Sequence, residues 1–285
     1  MVAIDKVLTF PYDQFMPLLT ISPNNKYPVI LKDGIIVEAV YYGSGTLCIS
    51  SQAGCALACP FCASGLQGLK RQLTSAEMHQ QIDTLRVTGQ EPRRLTISGI
   101  GEPLHNWKNV RKFIIDCQNH GTDISVTTTG VLLQDLEDLI EVATNGVMVS
   151  LHAARPEIHR RLIPNGPDFQ ALCSELERIY PLKSRRKRRK IGINYLLLEG
   201  KNDSDDDLLA LQMLMQRWPD FTLHLLRYNP VAGATYSSDT QKIDEWHAGL
   251  QMNRIQVRRS NRWRSQEDGG CGTLFLQSQR DKEIH

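Results

Sequence analysis

The chain has no long run of apolar residues, so nothing in its sequence reads as a membrane span. Its opening stretch, MVAIDKVLTFPYDQF, lacks a basic region followed by an apolar one and reads as no signal peptide. It has no internal repeat, no low-complexity linker and no composition break that would mark a second domain. An even, spread set of cysteines is missing too. There are seven, three of them in one tight group, which fits a reducing cytoplasm rather than a disulfide framework. What remains is 285 residues, 41% hydrophobic and 22% charged, enough for one large α/β domain with a filled core.

Net charge is almost lacking, at +2, but it is unevenly placed. Arg185, Arg186, Lys187, Arg188, Arg189 and Lys190 run together, and without these six the chain would carry −4. Such a run is either a local positive field that attracts phosphates or a solvated loop that binds nothing. It precedes the apolar segment INYLLL, which places it in a helix–strand connection at a barrel rim.

From residue 46 onward, strand and helix patterns alternate. Strands are expected at 46–50, 94–98, 123–129, 146–152, 191–200, 221–228 and 254–259, and helices at 75–87, 106–118, 133–144, 168–180, 203–218 and 240–252. Thr74 with Glu77 forms a capping-box signature, Asn106 is a candidate cap, and the Asp203–Asp207 cluster reads as a helix start rather than a metal site. Alternation of this kind predicts parallel βα units with the active-site groups at the C-terminal ends of the strands. The expected fold is α/β, an incomplete (β/α)₆ barrel over residues 46–275. A small β extension turning at Asp33-Gly34 precedes it over 1–45, and a polar tail follows over 276–285.

The chemistry begins at Cys55, Cys59 and Cys62, spaced CxxxCxxC in GCALACPFCASG. Three close thiolates can hold three irons of a four-iron cluster and leave the fourth open. Electron carriers and zinc knuckles ordinarily supply four ligands, and the next cysteine here is Cys117. The alternatives for the triplet alone are a structural metal site and packed core cysteines. Phe61 adds an aromatic wall. Cys117 and Cys173 lie on amphipathic helices and read as core.

The spacing resembles that of the radical S-adenosylmethionine (SAM) enzymes. Within that class the chain is similar to the RlmN/Cfr family of RNA adenine methyltransferases. The matching segments are DGIIVEAVYY, SGIGEPLHNWKNV, VTTTGVL, VSLHAARPEIHRRLIP, NYLLLEGKNDSDDD, RYNPVAGATY and GGCGTLF, in the family's order. The resemblance implies a [4Fe-4S] cluster on the three cysteines, with SAM bound to the open iron. It assigns Gly101, Glu102, Thr127, Ser150, Leu151, His152 and Asn229 to the SAM pocket. It makes Cys271, in a glycine-flanked loop, the methyl carrier and Cys48 the resolving thiol; by position alone Cys48 reads as a buried strand residue. Glu38 matches a family proton acceptor, against the plainer reading of a solvent-facing glutamate. RNA is the implied substrate, with the 185–190 run as a candidate RNA contact and a flavodoxin-like protein as the implied electron donor. Family members usually carry a longer N-terminal accessory domain, which is expected to be absent or reduced here. Two other functions stay open: a radical SAM enzyme of this lineage acting on a nucleotide or peptide, and a non-enzymatic iron–sulfur RNA-binding module.

Overall fold

The computed structural model describes residues 24–260, 263–264, 272–274 and 277–278. In chain order the strands are β1 (Asn25–Ile30), β2 (Ile35–Tyr42), β3 (Thr46–Ile49), β4 (Gln52–Ala53), β5 (Arg71–Gln72), β6 (Arg94–Ile97), β7 (Asp123–Thr128), β8 (Gly146–Ser150), β9 (Ile191–Leu197), β10 (Thr222–Arg227), β11 (Val257–Arg259) and β12 (Gln277–Ser278). The helices are α1 (Ala63–Leu66), α2 (Ser75–Arg86), α3 (Trp107–Asn119), α4 (Leu133–Val142), α5 (Pro156–Leu162), α6 (Phe169–Ile179), α7 (Arg185–Arg188), α8 (Asp205–Gln216) and α9 (Thr240–Met252).

The main sheet runs β1-β2-β3-β6-β7-β8-β9-β10-β11, with β12 added to β2. From β3 to β11 every neighbouring pair is parallel. Among the described residues β11 pairs only with β10, so the barrel stays open, as the alternating pattern predicts. The N-terminal extension is not a separate layer. Gly34, at φ 81°, turns β1 into β2, and β2 pairs antiparallel with β3 through Val40 and Cys48. No helix of the described residues is long and apolar enough to cross a membrane.

Local sequence accounts for most elements. β9 is buried at every position, as expected of a strand covered on both faces. The Thr74–Glu77 capping box opens α2, and Ser204 with Asp207 forms a second one that opens α8, so the acidic cluster is a helix start. Cys117 and Cys173 lie in the core, where burial pushes their thiols up to about 12 and about 11.

Three local expectations change. Asn106 precedes α3 but does not cap it: its Oδ1 accepts from the Asn109 side-chain amide at 2.8 Å, while its own NH₂ donates to the Ser51 and Leu73 carbonyls at 2.8 and 2.6 Å. The chain enters α3 through a 3-10 turn over Pro103–Asn106. α5, started by Pro156, was not foreseen, and β11 begins at Val257 because Arg254 adopts a left-handed turn (φ 61°).

Candidate active site

A cleft with a volume of about 150 Å³ opens at the C-terminal ends of the strands. The cysteine loop forms one wall. Gly54 (φ 81°) starts it where a Cβ would sit 1.8 Å from the Gly68 carbonyl oxygen, so only glycine fits. Gly65 closes it, with a Cβ excluded by the Cys59 backbone at 2.7 and 2.8 Å. The Cys62 carbonyl accepts from Gly65 and Leu66 N–H groups, which fixes the loop's last turn.

Cys55, Cys59 and Cys62 all line this cleft. Burial pushes Cys55 up to about 12 and Cys59 well above the usual thiol value, and Cys62 raises both further. Thiolate formation here must therefore be coupled to metal uptake. Among the described residues no three His, Cys, Asp or Glu groups converge tightly enough for a single metal ion. Three thiols on one cleft wall, close enough to sense one another's charge, are a soft donor set one ligand short of a closed zinc or ferredoxin site.

Opposite the cysteines, Gly101 and Glu102 line the cleft. Gly101 has φ 108°, and a Cβ would come within 2.5 Å of Gln52. Glu102 is 2% exposed and fully engaged. One carboxylate oxygen accepts from Leu104 N–H at 3.0 Å and from the Thr128 hydroxyl. The other accepts from Thr129 N–H at 2.8 Å and the Thr129 hydroxyl at 3.0 Å, while Gln52 Oε1 takes the Glu102 N–H at 2.6 Å. Four donors occupy about all the lone-pair sites a carboxylate has. Thr127, Thr128 and Thr129 line the cleft beside them, and Gln52 supports Glu102 from behind; Thr128, Thr129 and Gln52 are not among the residues the motifs point to. The run Thr127-Thr128-Thr129 at a strand end was the available signal.

At the end of β8, Ser150 and His152 line the cleft and Leu151 does not. Leu151 is fully buried in the main core, which corrects its expected place in the pocket: alternation along extended backbone sends it to the other face. His152 takes a left-handed turn at φ 57° and sets its ring edge-on to Phe61, 5.4 Å between centroids. Its Nδ1 accepts from Leu196 N–H at 3.1 Å. Burial, aided by His159, pushes its pKa down to about 3, so the ring is neutral with its proton on Nε2. Asn229 lines the cleft, and its amide donates to the Arg264 carbonyl at 3.1 Å.

Cys48 Sγ lies 3.3 Å from Ser98 Oγ, and Ser98 lines the cleft. Glu38 is half-buried two residues from Val40, the register partner of Cys48, on the same face of β2. It does not line the cleft, and its carbonyl accepts from Ser50 Oγ at 2.8 Å. Cys271 lies outside the described residues. Gly272, which follows it in the chain, lines the cleft at φ 88°, and its carbonyl accepts from Ala63 N–H at 2.8 Å.

The Radical SAM superfamily profile matches residues 49–211. The dual-specificity RNA methyltransferase RlmN of Magnetococcus marinus is 34% identical over 265 residues, covering 87% of this chain and 73% of that protein. The chain belongs to the RlmN family. The RlmN of Geotalea uraniireducens is 35% identical, with 87% of this chain and 74% of that protein covered. A solved radical SAM methyltransferase from Sphaerobacter thermophilus superposes with a TM-score of 0.65 at 25% identity, covering 89% of this chain and 81% of that one. As an RlmN-family protein this is a radical SAM RNA methyltransferase. The family implies a four-iron cluster and SAM, and the open three-thiol wall fits that donor set.

The basic run stands apart from the RlmN-type cleft. It forms α7 and leads into the N-terminal end of β9, the opposite end of the sheet. Arg185 and Arg188 pair with Asp220 at 3.1 and 3.2 Å, and Arg188 also lies 4.5 Å over the Tyr180 ring. Lys187 and Lys190 donate to the Glu141 and Thr144 carbonyls at 2.9 and 2.5 Å, the end of α4 where cations are favoured. Only Arg186 and Arg189 are exposed with no partner among the described residues.

Proposed function

We propose that this enzyme methylates carbon 2 of an adenine in ribosomal or transfer RNA, with Cys271 as methyl carrier and Cys48 as resolving thiol. The observation that carries the reading is the placing of Cys48: its sulfur contacts Ser98 on the wall of the same cleft that the three cluster cysteines line. Gly272, the next residue after Cys271 in the chain, is hydrogen-bonded to the residue after Cys62 and supports the reading.

When bound, the cluster supplies the single electron that cleaves SAM to a 5′-deoxyadenosyl radical. The protein's own groups hold the reaction in place. Thr127, Ser150 and Asn229 offer polar contacts around the SAM position, and Glu102, its carboxylate taken up by Leu104, Thr128 and Thr129, holds the Gly101–Glu102 backbone rigid beside them. Neutral His152 adds an Nε2–H donor and, with Phe61, an aromatic boundary that keeps water from the cluster wall. Cys271 carries the methyl group as a thioether, which is needed because an adenine C–H carbon is not a nucleophile. Once that carbon is joined to the base, Cys48 as thiolate attacks the Cys271 sulfur. One methyl hydrogen has already passed to the 5′-deoxyadenosyl radical, and the target carbon loses its ring proton. An S–S bond forms as the S–C bond breaks, and the electron pair of the broken bond takes up a proton to complete the methyl group. The odd electron left by the addition would return to the bound cluster, leaving the methylated base and a disulfide. Glu38, on the face that Cys48 shares, is the proposed proton acceptor. A flavodoxin-like protein is the proposed electron donor. Carbon 2 is preferred because it is the commoner activity of the family.

The test is to quantify 2- and 8-methyladenosine by mass spectrometry in total RNA from cells with and without the enzyme. A rise in 2-methyladenosine supports the reading. A rise only in 8-methyladenosine moves the reaction to carbon 8, and no change in either removes adenine as the target.

A further inference from the structure

The walls described so far would hold SAM and a cluster, and the RNA backbone needs a surface of its own. One edge of the cleft mouth carries two arginines, Arg227 and Arg258, that no carboxylate among the described residues neutralises. Arg227 ends β10, is exposed and lines the cleft, and its guanidinium has no partner among the described residues. Arg258, on β11, is likewise exposed and unpartnered among the described residues. Its register partner is His224 on β10, and paired residues in parallel strands share a face. His224 pairs in turn with Asn194, which lines the cleft, so Arg258 stands on the cleft face of the edge strand. Arg264 lines the cleft below them, 5.8 Å from the Tyr42 ring. Arg259, on the other face, is the one that a carboxylate, Asp244, holds.

His224 adds no charge to this edge. Burial and the charges of Arg258 and Arg264 push it down to about 4. The positive field at the mouth is therefore set by the arginines alone and is constant across the neutral range. The contrast with the 185–190 run is direct: most of those cations are occupied by Asp220 and the end of α4, at the wrong end of the barrel.

We propose that Arg227 and Arg258 receive the RNA backbone, so that the strand crosses the β10–β11 edge while its target adenine is turned out of the stack into the cleft. An unstacked base in a loop suits this geometry, because its phosphates must stay outside a cleft that only the base can enter. The proposal rests on RNA as substrate.

The experiment measures binding of an unmodified ribosomal RNA fragment to the cluster-loaded enzyme across a salt series. Each lost phosphate contact lowers the slope of log K against log salt by about 1. Arg227→Gln and Arg258→Gln should each lower it by about 1 and the double variant by about 2, with Arg227→Lys retaining the slope. Arg186→Gln with Arg189→Gln should leave it unchanged. Thermal unfolding confirms that each variant is folded. An unchanged slope in the double variant, or a raised KM for SAM with RNA binding intact, overturns this surface alone. Failure of the unaltered enzyme to bind or methylate any RNA overturns the substrate and the surface together.

Discussion

Asn202 donates its side-chain amide to the carbonyl of His152 at 2.6 Å, across fifty residues of chain. The same amide reaches the Leu196 carbonyl at 2.7 Å, and its Oδ1 accepts from Leu198 N–H at 2.7 Å. One fully buried side chain thus locks the end of β9 to the left-handed turn that aims His152 at Phe61. Asn202→Ala removes three buried hydrogen bonds and should cost about 3 kcal/mol, at about 1 kcal/mol each. Asn202→Asp should also destabilise, since it sets an oxygen against two carbonyls. Thermal unfolding, together with a rise in KM for SAM, checks both; a stable variant with unchanged KM would show that the turn holds itself.

Glu102→Gln should be poorly tolerated despite its near-equal size. The carboxylate is surrounded only by donors, from Leu104, Thr128 and Thr129. An amide NH₂ must face one pair of them, leaving buried donors unmet at a cost of about 1–3 kcal/mol. Denaturant unfolding should show the loss, and SAM binding by calorimetry should weaken about tenfold or more. Thr129→Val, which deletes one donor, should show a smaller effect of the same sign.

Cys48→Ala should stop the reaction after carbon–carbon bond formation. With no thiol to attack the Cys271 sulfur, the base stays covalently joined to the protein, and RNA should co-migrate with the enzyme on a denaturing gel. Cys271→Ala should abolish both methylation and that adduct. Free methylated RNA made by Cys48→Ala would remove the resolving role from this residue.

Stability should fall as the medium is acidified. The pKa of His152 lies near 3 in the fold against about 6.5 in the unfolded chain. Above about 6.5 the ring is neutral in both states and contributes no pH dependence. Between about 6.5 and 3 the unfolded chain binds the extra proton, so stability drops as pH falls, by several kcal/mol in all. Urea midpoints at pH 7, 6 and 5 should decline in step, and His152→Gln should flatten the decline if it folds. A profile that is flat for the unaltered protein would show that the ring is hydrated.

Much of this molecule was legible before its structure. The strand–helix alternation, the capping box at Thr74 and the core roles of Cys117 and Cys173 follow from local pattern, because periodicity and caps act within a few residues. The grouping of Cys55, Cys59 and Cys62 on one wall was legible for the same reason: their spacing is set by one loop. The supports of Glu102 were not, since Thr128 and Thr129 meet it only when β6 and β7 lie side by side. Nor was the core placing of Leu151 against the cleft placing of His152, which depends on one left-handed residue held by distant Asn202. The basic run shows the limit most plainly. Sequence alone determined that six cations stand together before a strand. Only the tertiary structure decided that this strand begins where the cleft is not, because a parallel sheet gathers all its C-terminal ends on one side and leaves α7 on the other.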